Sequence, residues 1–256
     1  MHLARAVSAV ALISMSVVGC GEPLPGTEGK VAPQVEPELV ARAQALSTDI
    51  FNGYPVTVQG GLGSVQSFRL VNPAPAAKLS FTLRGGSGDA DLYVKAFAEP
   101  TFSDYDCLSD SVGNKENCAY TGVGDDEPYY VLVYGFEAFS GATLHAYYSN
   151  PISLATPVSI SANRLARTVY EVDVPAGKKR LQVTATQTSA WETGPFNLYV
   201  RQGDAPAVPG AVDCATSNST LPAVCTITNP VAGKAYIMIE GVDHFGCTFR
   251  VDALTK

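Results

Sequence analysis

Two tandem antiparallel β-sandwiches of jelly-roll type, after a leader and a flexible tether, are the all-β architecture this sequence predicts. Three observations lead there. The chain repeats itself: Cys107 and Cys118 have the same spacing as Cys214 and Cys225, Asp91-Leu92-Tyr93-Val94 is echoed by Asn197-Leu198-Tyr199-Val200, and Val131 to Gly135 by Ile237 to Gly241. A period of about a hundred residues is a whole domain rather than a solenoid unit. Next, apolar residues alternate strictly in Lys78-Leu79-Ser80-Phe81-Thr82-Leu83-Arg84 and in its counterpart Arg180-Leu181-Gln182-Val183-Thr184-Ala185, the mark of a half-buried strand. Finally, glycine clusters such as Gly85-Gly86-Ser87-Gly88 cut the chain into short segments.

The elements follow in order. Residues 1–19 read as a targeting leader: Arg5 supplies the positive end, and Ala6 to Val18 is apolar apart from serines and too short to span a membrane. The leader ends in Val17-Val18-Gly19-Cys20, which resembles a bacterial lipoprotein signal. That resemblance implies a lipid on Cys20, and Gly21 after it resembles the default for sorting to the outer membrane. The alternative is an ordinary secretory leader with an accidental cysteine. Residues 20–45 form the tether. Positions 21–36 are rich in Pro, Gly and Glu and cannot bury a core. Pro37 to Leu46 could form one short helix. The sandwiches are expected over 46–149 and 151–256.

Aligning the copies predicts which side of each strand is core. Val131 and Val133 correspond to Ile237 and Ile239, an inward face in both. Tyr130, Leu132 and Tyr134 face Tyr236, Met238 and Glu240 in the alignment, so this side should meet water or another surface. Ala142, Leu144 and Ala146 match Cys247, Phe249 and Val251 as core. His145, aligned with Arg250, is expected on the surface.

In a secreted chain the two equally spaced cysteine pairs predict disulfides Cys107–Cys118 and Cys214–Cys225. Cys247 is left as a buried thiol. A zinc site is disfavoured, because no histidine or further cysteine lies nearby at ligand spacing.

Composition narrows function. The net charge is −7; loss of residues 1–19 removes Arg5 and no acid, leaving 16 basic against 24 acidic residues and a net charge of −8. With no basic stripe, nucleic acid is not an expected partner. Three histidines and the absence of a Gly-x-Ser-x-Gly elbow or a His-Glu-x-x-His helix leave no catalytic residue to name. A triad assembled from distant residues would revive a hydrolase reading.

Several motifs occur together: Asn52-Gly53-Tyr54-Pro55-Val56-Thr57, Gly85 to Val94, Tyr105-Asp106-Cys107, Asn117-Cys118, and Tyr134-Gly135-Phe136-Glu137-Ala138-Phe139-Ser140-Gly141. In this order they resemble the bacterial pre-peptidase C-terminal domain. The resemblance covers about residues 46–149; the copy over 151–256 is degenerate and lacks the Gly-Gly-Ser-Gly-Asp-Ala-Asp run. It implies a compact β-sandwich of the kind appended to secreted proteases, where it is associated with secretion, processing or substrate attachment. Related collagenase domains bind calcium and collagen.

Two candidate sites emerge. Asp89 and Asp91, two apart on a strand, point to one side, and hard carboxylates suit calcium if Asp104 and Asp106 fold back to join them. Solvated aspartates, or aspartates capping turn amides, are the competing reading. Tyr93 and Tyr134 on the outer face could stack on a sugar or grip an extended peptide, unless loops or the other domain cover them. The expected protein is a non-catalytic, lipid-anchored module of the bacterial cell envelope, at the outer membrane, that binds or adheres to an unidentified protein or polysaccharide. The alternative is an accessory factor of a secreted peptidase, such as an inhibitor, chaperone or processing partner.

Overall fold

A computed structural model describes residues 47–256 except 72–75, 189–192 and 220. The leader, Cys20, the tether and the expected helix over 37–46 lie outside the described residues. Among the described residues there are seventeen strands and no helix. The first repeat contributes β1 (Thr48–Asp49), β2 (Pro55–Gly60), β3 (Val65–Val71), β4 (Ala76–Arg84), β5 (Ala90–Ala96), β6 (Cys107–Ser109), β7 (Glu116–Val123), β8 (Pro128–Gly135) and β9 (Phe139–Pro151). The second contributes β10 (Val158–Ala162), β11 (Arg167–Val174), β12 (Arg180–Gln187), β13 (Phe196–Gln202), β14 (Cys214–Ser217), β15 (Ala223–Thr228), β16 (Gly233–Gly241) and β17 (Phe245–Leu254).

Each repeat is a sandwich. In the first, the sheet β1-β3-β8-β5-β6 packs on β9, β4 and β7, with β2 on the far edge of β9. In the second, β11, β16, β13 and β14 pack on β10-β17-β12-β15. The registers repeat as well as the strands. Phe68 pairs with Val131 as Tyr170 pairs with Ile237, Phe81 with Cys118 as Val183 with Cys225, and Leu92 with Val133 as Leu198 with Ile239. A one-residue slip would turn every core side chain to solvent, so a conserved pairing across the copies follows from a conserved inward face. The inward residues form one apolar cluster per sandwich: Phe81, Leu92, Val131 and Val133 in the first, Val183, Leu198, Ile237 and Ile239 in the second.

Both disulfides are present, with Cα–Cα distances of 5.9 Å for Cys107–Cys118 and 5.7 Å for Cys214–Cys225. Each ties the short edge strand of one sheet, β6 or β14, to the edge strand of the opposite sheet, β7 or β15. They close the sandwich where the sheets would otherwise splay. Cys247 is unpaired and fully buried in the place that Ala142 holds in the first copy, and burial pushes its thiol up to about 12. It is therefore not a ready nucleophile.

The two repeats are not separated by a linker. The end of β9 pairs in parallel with β11, Ser149 with Val169, Asn150 with Tyr170 and Pro151 with Glu171, and Ile152 N–H donates to the Glu171 carbonyl at 2.8 Å. The expected boundary at residues 149–151 is thus a strand, and β14-β13-β16-β11-β9-β4-β7 run as one sheet through both copies. β1 does the same for the first copy: it pairs in parallel with β3 through Thr48 with Phe68 and Asp49 with Arg69, and Ile50 N–H donates to the Arg69 carbonyl at 2.8 Å.

Each disulfide should contribute about 3 kcal/mol by restricting the unfolded chain. Replacing both Cys107 and Cys118 by Ala should lower the denaturant midpoint accordingly. Non-reducing peptide mapping should return two local bridges and a free Cys247; a native bridge to Cys247 would contradict this arrangement.

Candidate functional site

Tyr93 and Tyr134 do lie on the outer side of their sheet, away from the main core, but they are not exposed. Their exposures are 9% and 4%. The loop between β5 and β6 folds back over them: Phe102 stacks edge-on to Tyr134 at 4.9 Å and to Tyr93 at 5.5 Å, and Tyr105 meets Tyr93 at 5.5 Å. Leu132, Val65, Leu108 and Phe136 complete this second, smaller cluster. Burial, then the nearby Asp91 and Asp110, push the Tyr93 hydroxyl up to about 12. The expected flat aromatic platform is a covered one, because apolar rings on a sheet surface recruit the adjacent loop when that loop carries rings of its own.

The four aspartates are not brought together. Asp104 pairs with Lys95, and Asp106 accepts the Ala96 N–H at 2.8 Å, so both serve the covering loop. Asp89 and Asp91 are buried, and Asp89 accepts the Gly113 N–H at 3.2 Å. Among the described residues no group of three or more His, Cys, Asp or Glu side chains is placed to hold a metal ion. The four-carboxylate cage fails to form because Asp104 and Asp106 are spent locally.

The polar and charged side chains that do converge lie at the seam between the sandwiches. Arg167, on β11, is 7% exposed. Its Nε and Nη2 reach Glu240 Oε1 at 2.8 and 2.7 Å, its Nη1 donates to the Gly53 carbonyl at 2.6 Å and to the Val208 carbonyl at 3.1 Å, and its guanidinium lies 3.5 Å over the Tyr54 ring. Asn52 Nδ2 donates to the Arg167 carbonyl at 2.5 Å while its Oδ1 accepts the Tyr148 N–H at 2.9 Å, and the Tyr54 hydroxyl donates to the Leu165 carbonyl at 2.9 Å. Gly53 sits at φ +72°, and a β-carbon there would approach Met238 Sδ to 3.1 Å and Arg167 Cδ to 3.3 Å. The Asn-Gly-Tyr run of the first copy is therefore a clasp for the second. Burial pushes the Glu240 carboxyl up, but hydrogen bonds from Arg167, Asn197 and Tyr199 outweigh it and hold it below its ordinary value. Glu171 is a second acid of the seam and more deeply buried, 4% exposed, with Lys234 at 3.2 Å and Lys78 at 3.4 Å.

His145 is at the seam too, and not on the surface. It is 3% exposed and its ring stacks on Tyr147 at 5.2 Å. Its Nε2 has no hydrogen-bond partner among the described residues. Burial, helped by Arg201 and Arg167 and opposed by Asp204 and Gly53, lowers it to about 4, so it is neutral near pH 7. It lines a cleft of about 370 Å³ whose floor is the outer face of β2, β9 and β4 and whose roof is the segment of the second copy around Asp204 to Ala211. A second cleft of about 360 Å³ opens between Ile50, Tyr54 and Leu70 on one side and Leu165 to Thr168 on the other. Sequence reasoning named Asn52, Gly53 and Tyr54 in a motif and His145 as a surface residue, but placed none of them between the copies. The one signal was Glu240 on a face that is otherwise aromatic and aliphatic.

The sequence comparisons agree with the repeat. A family model described as the bacterial pre-peptidase C-terminal domain matches residues 64–135 and 166–241. The neutral protease of Vibrio proteolyticus is 33% identical over 94 residues, covering 37% of this chain and 15% of that protein. The alkaline serine exoprotease A of Vibrio alginolyticus is 28% identical over 143 residues, 54% of this chain and 23% of that one. The zinc metalloprotease of Helicobacter pylori is 36% identical over 92 residues, 36% of each. The matches thus span between about a seventh and about a third of these relatives. Among solved structures, the pre-peptidase C-terminal domain of a Bacillus anthracis collagenase aligns with a TM-score of 0.32 at 14% identity, covering 41% of this chain and 94% of that one.

Two outcomes follow from the seam. Arg167→Met leaves the Glu240 carboxylate without its cation, a change of roughly 3 kcal/mol or more for a buried pair. Calorimetry should show the native chain melting in one transition and the variant melting earlier, in two; an unchanged single transition would mean that the clasp does not couple the copies. The His145 effect has a definite sign. Unfolded, it titrates near 6.5; folded, near 4. The unfolded chain binds the extra proton in that window, so stability falls as pH drops from about 6.5 towards 4, by up to roughly 3 kcal/mol. Urea titrations of the native chain and of His145→Gln across this range should show a shallower pH dependence in the variant.

Proposed function

Because the chain belongs to the bacterial pre-peptidase C-terminal domain family, in two successive copies, we propose that it is a non-catalytic binding module of the bacterial cell envelope, held there by a lipid on Cys20. The observation that carries this reading is the seam. Both copies keep the sandwich, yet the groups that depart from a plain sandwich converge between them, where they line two clefts that neither copy has alone. Neither described histidine is arranged as a catalytic base beside a nucleophile: His145 Nε2 has no partner, and His244 Nδ1 is bonded to Asn163 Oδ1 at 3.1 Å. Relatives named as proteases match over a minor part of their length, as expected if the shared segment is an appended module.

Those same names favour one second reading, an accessory factor that acts on a secreted peptidase. In that case the ligand is the enzyme itself. An adhesion role would instead give a partner among envelope proteins or polysaccharides.

The test has two parts. Cys20→Ala should move the protein from the membrane fraction to the soluble fraction, and the native protein should carry a diacylglyceryl mass at its N-terminus; an unmodified native protein would remove the anchor from the proposal. The full chain should then be used to capture partners from envelope and secreted fractions, and binding repeated with the purified partner. Saturable binding without peptide or ester hydrolysis supports the module. A peptidase as the partner selects the accessory reading, and turnover by the purified chain alone overturns both.

A further inference from the structure

The cleft beside His145 combines features that point to a ligand. Its floor is a small grid set by strand register: Pro55, His145 and Thr82 form one row, Thr57, Thr143 and Arg84 the next. All are outward residues of strands whose alternate positions, such as Phe81, Leu83 and Leu144, are core. The second copy supplies Arg201 and Asp204 and the small apolar wall of Ala207, Pro209 and Ala211. Its volume of about 370 Å³ lies in the usual small-ligand range, about 300–1,000 Å³.

The charges in it are unequal. Two guanidinia share one carboxylate, and that carboxylate is already engaged: Asp204 Oδ1 accepts the Tyr147 hydroxyl at 3.1 Å and the Ala205 N–H at 2.8 Å. Its Oδ2 stands 3.9 Å from Arg84 Nε and 3.9 Å from Arg201 Nη1, beyond hydrogen-bond length. Each arginine donates to one backbone carbonyl, Arg84 to Glu116 O and Arg201 to Ala205 O, which leaves most of its five N–H donors. A surplus cation inside an acidic protein selects an anion. The unpartnered, buried Nε2 of His145 asks in addition for a polar group on the ligand, since an imidazole nitrogen can accept from an N–H or donate to an oxygen.

We propose that this cleft binds the C-terminal end of a peptide, with the terminal carboxylate on Arg84 and Arg201 and the last peptide unit against His145 and the threonines. The forked guanidinium matches a carboxylate in geometry. A peptide end carries the required N–H and C=O beside its carboxylate, and a small last side chain fits the wall of Ala207, Pro209 and Ala211. A uronic acid shares the carboxylate, but no Trp, Tyr or Phe lines the cleft to stack on a sugar ring. The proposal rests on the binding-module reading above and specifies its ligand class.

The test is calorimetric titration of the full chain, in detergent, with N-acetyl-Ala-Ala, its C-terminal amide, and glucuronate. The acid should bind saturably, with the amide roughly tenfold or more weaker, the loss of one charge-assisted contact. Arg201→Met should weaken the acid by a similar factor; because it gives up the bond to the Ala205 carbonyl, its melting curve is recorded beside the native one to show that it remains folded at the titration temperature. Arg84→Met, which also loses a backbone contact, is checked in the same way, and Arg201→Lys should not restore the full affinity. Equal binding of acid and amide, no saturable binding of the acid, or binding of glucuronate alone would overturn the proposal. If partner capture succeeds unchanged in Arg201→Met while the acid does not bind, the module reading stands and this cleft is not its site.

Discussion

Parallel pairing of Ser149, Asn150 and Pro151 with Val169, Tyr170 and Glu171 leaves no slack between the two sandwiches. Backbone N–H and C=O groups at a sheet edge must find partners, and here the last strand of the first copy, β9, supplies them to β11, the second strand of the next. Once that strand is shared, the outer faces beside it are forced together. The Arg167 clasp, the buried Glu171 with its two lysines, and the Tyr147, Tyr236 and Met238 cluster all follow from this closeness. None would be affordable in isolation, since a buried guanidinium or carboxylate is costly unless paired and hydrogen-bonded.

The same strand arrangement explains what could be read in the sequence and what could not. Strand alternation and repeat alignment are local or internally redundant signals. They placed Val131 and Val133 with Ile237 and Ile239 on the inner face, and set the two cysteine pairs. His145 defeated that logic. Its counterpart Arg250 is exposed, yet the first copy's face at this point is covered by a segment of the second copy, a contact with no trace in the local pattern. Tyr93 and Tyr134 erred in a similar way. Their side of the sheet was correctly outward, but Phe102 and Tyr105, two of the three rings in the β5–β6 loop, were the unread sign that this loop covers them. The aspartates misled because spacing along a strand says nothing of which loop amides and lysines will claim them first.

The degenerate copy is thus not simply a faded one. Glu240 stands where the first copy has Tyr134, and Arg167 where it has Val65, and the two changes pair with each other. The second copy exchanged an aromatic patch for a buried ion pair, and gained a hold on its neighbour.

Contact of this head-to-tail kind has no symmetry that closes it, and a surface that can receive its own opposite end builds filaments. Here neither copy repeats the clasp residues on its outer side. The first copy has Val65 where the second has Arg167, and Thr48 and Asp49 occupy the matching edge of β3. The second copy presents Leu154, Ala155 and Thr156 where the clasp would need Asn, Gly and Tyr. The junction that joins the two copies is thereby built from residues that neither copy repeats on its far side, so the burial of charge is confined to the one seam between them.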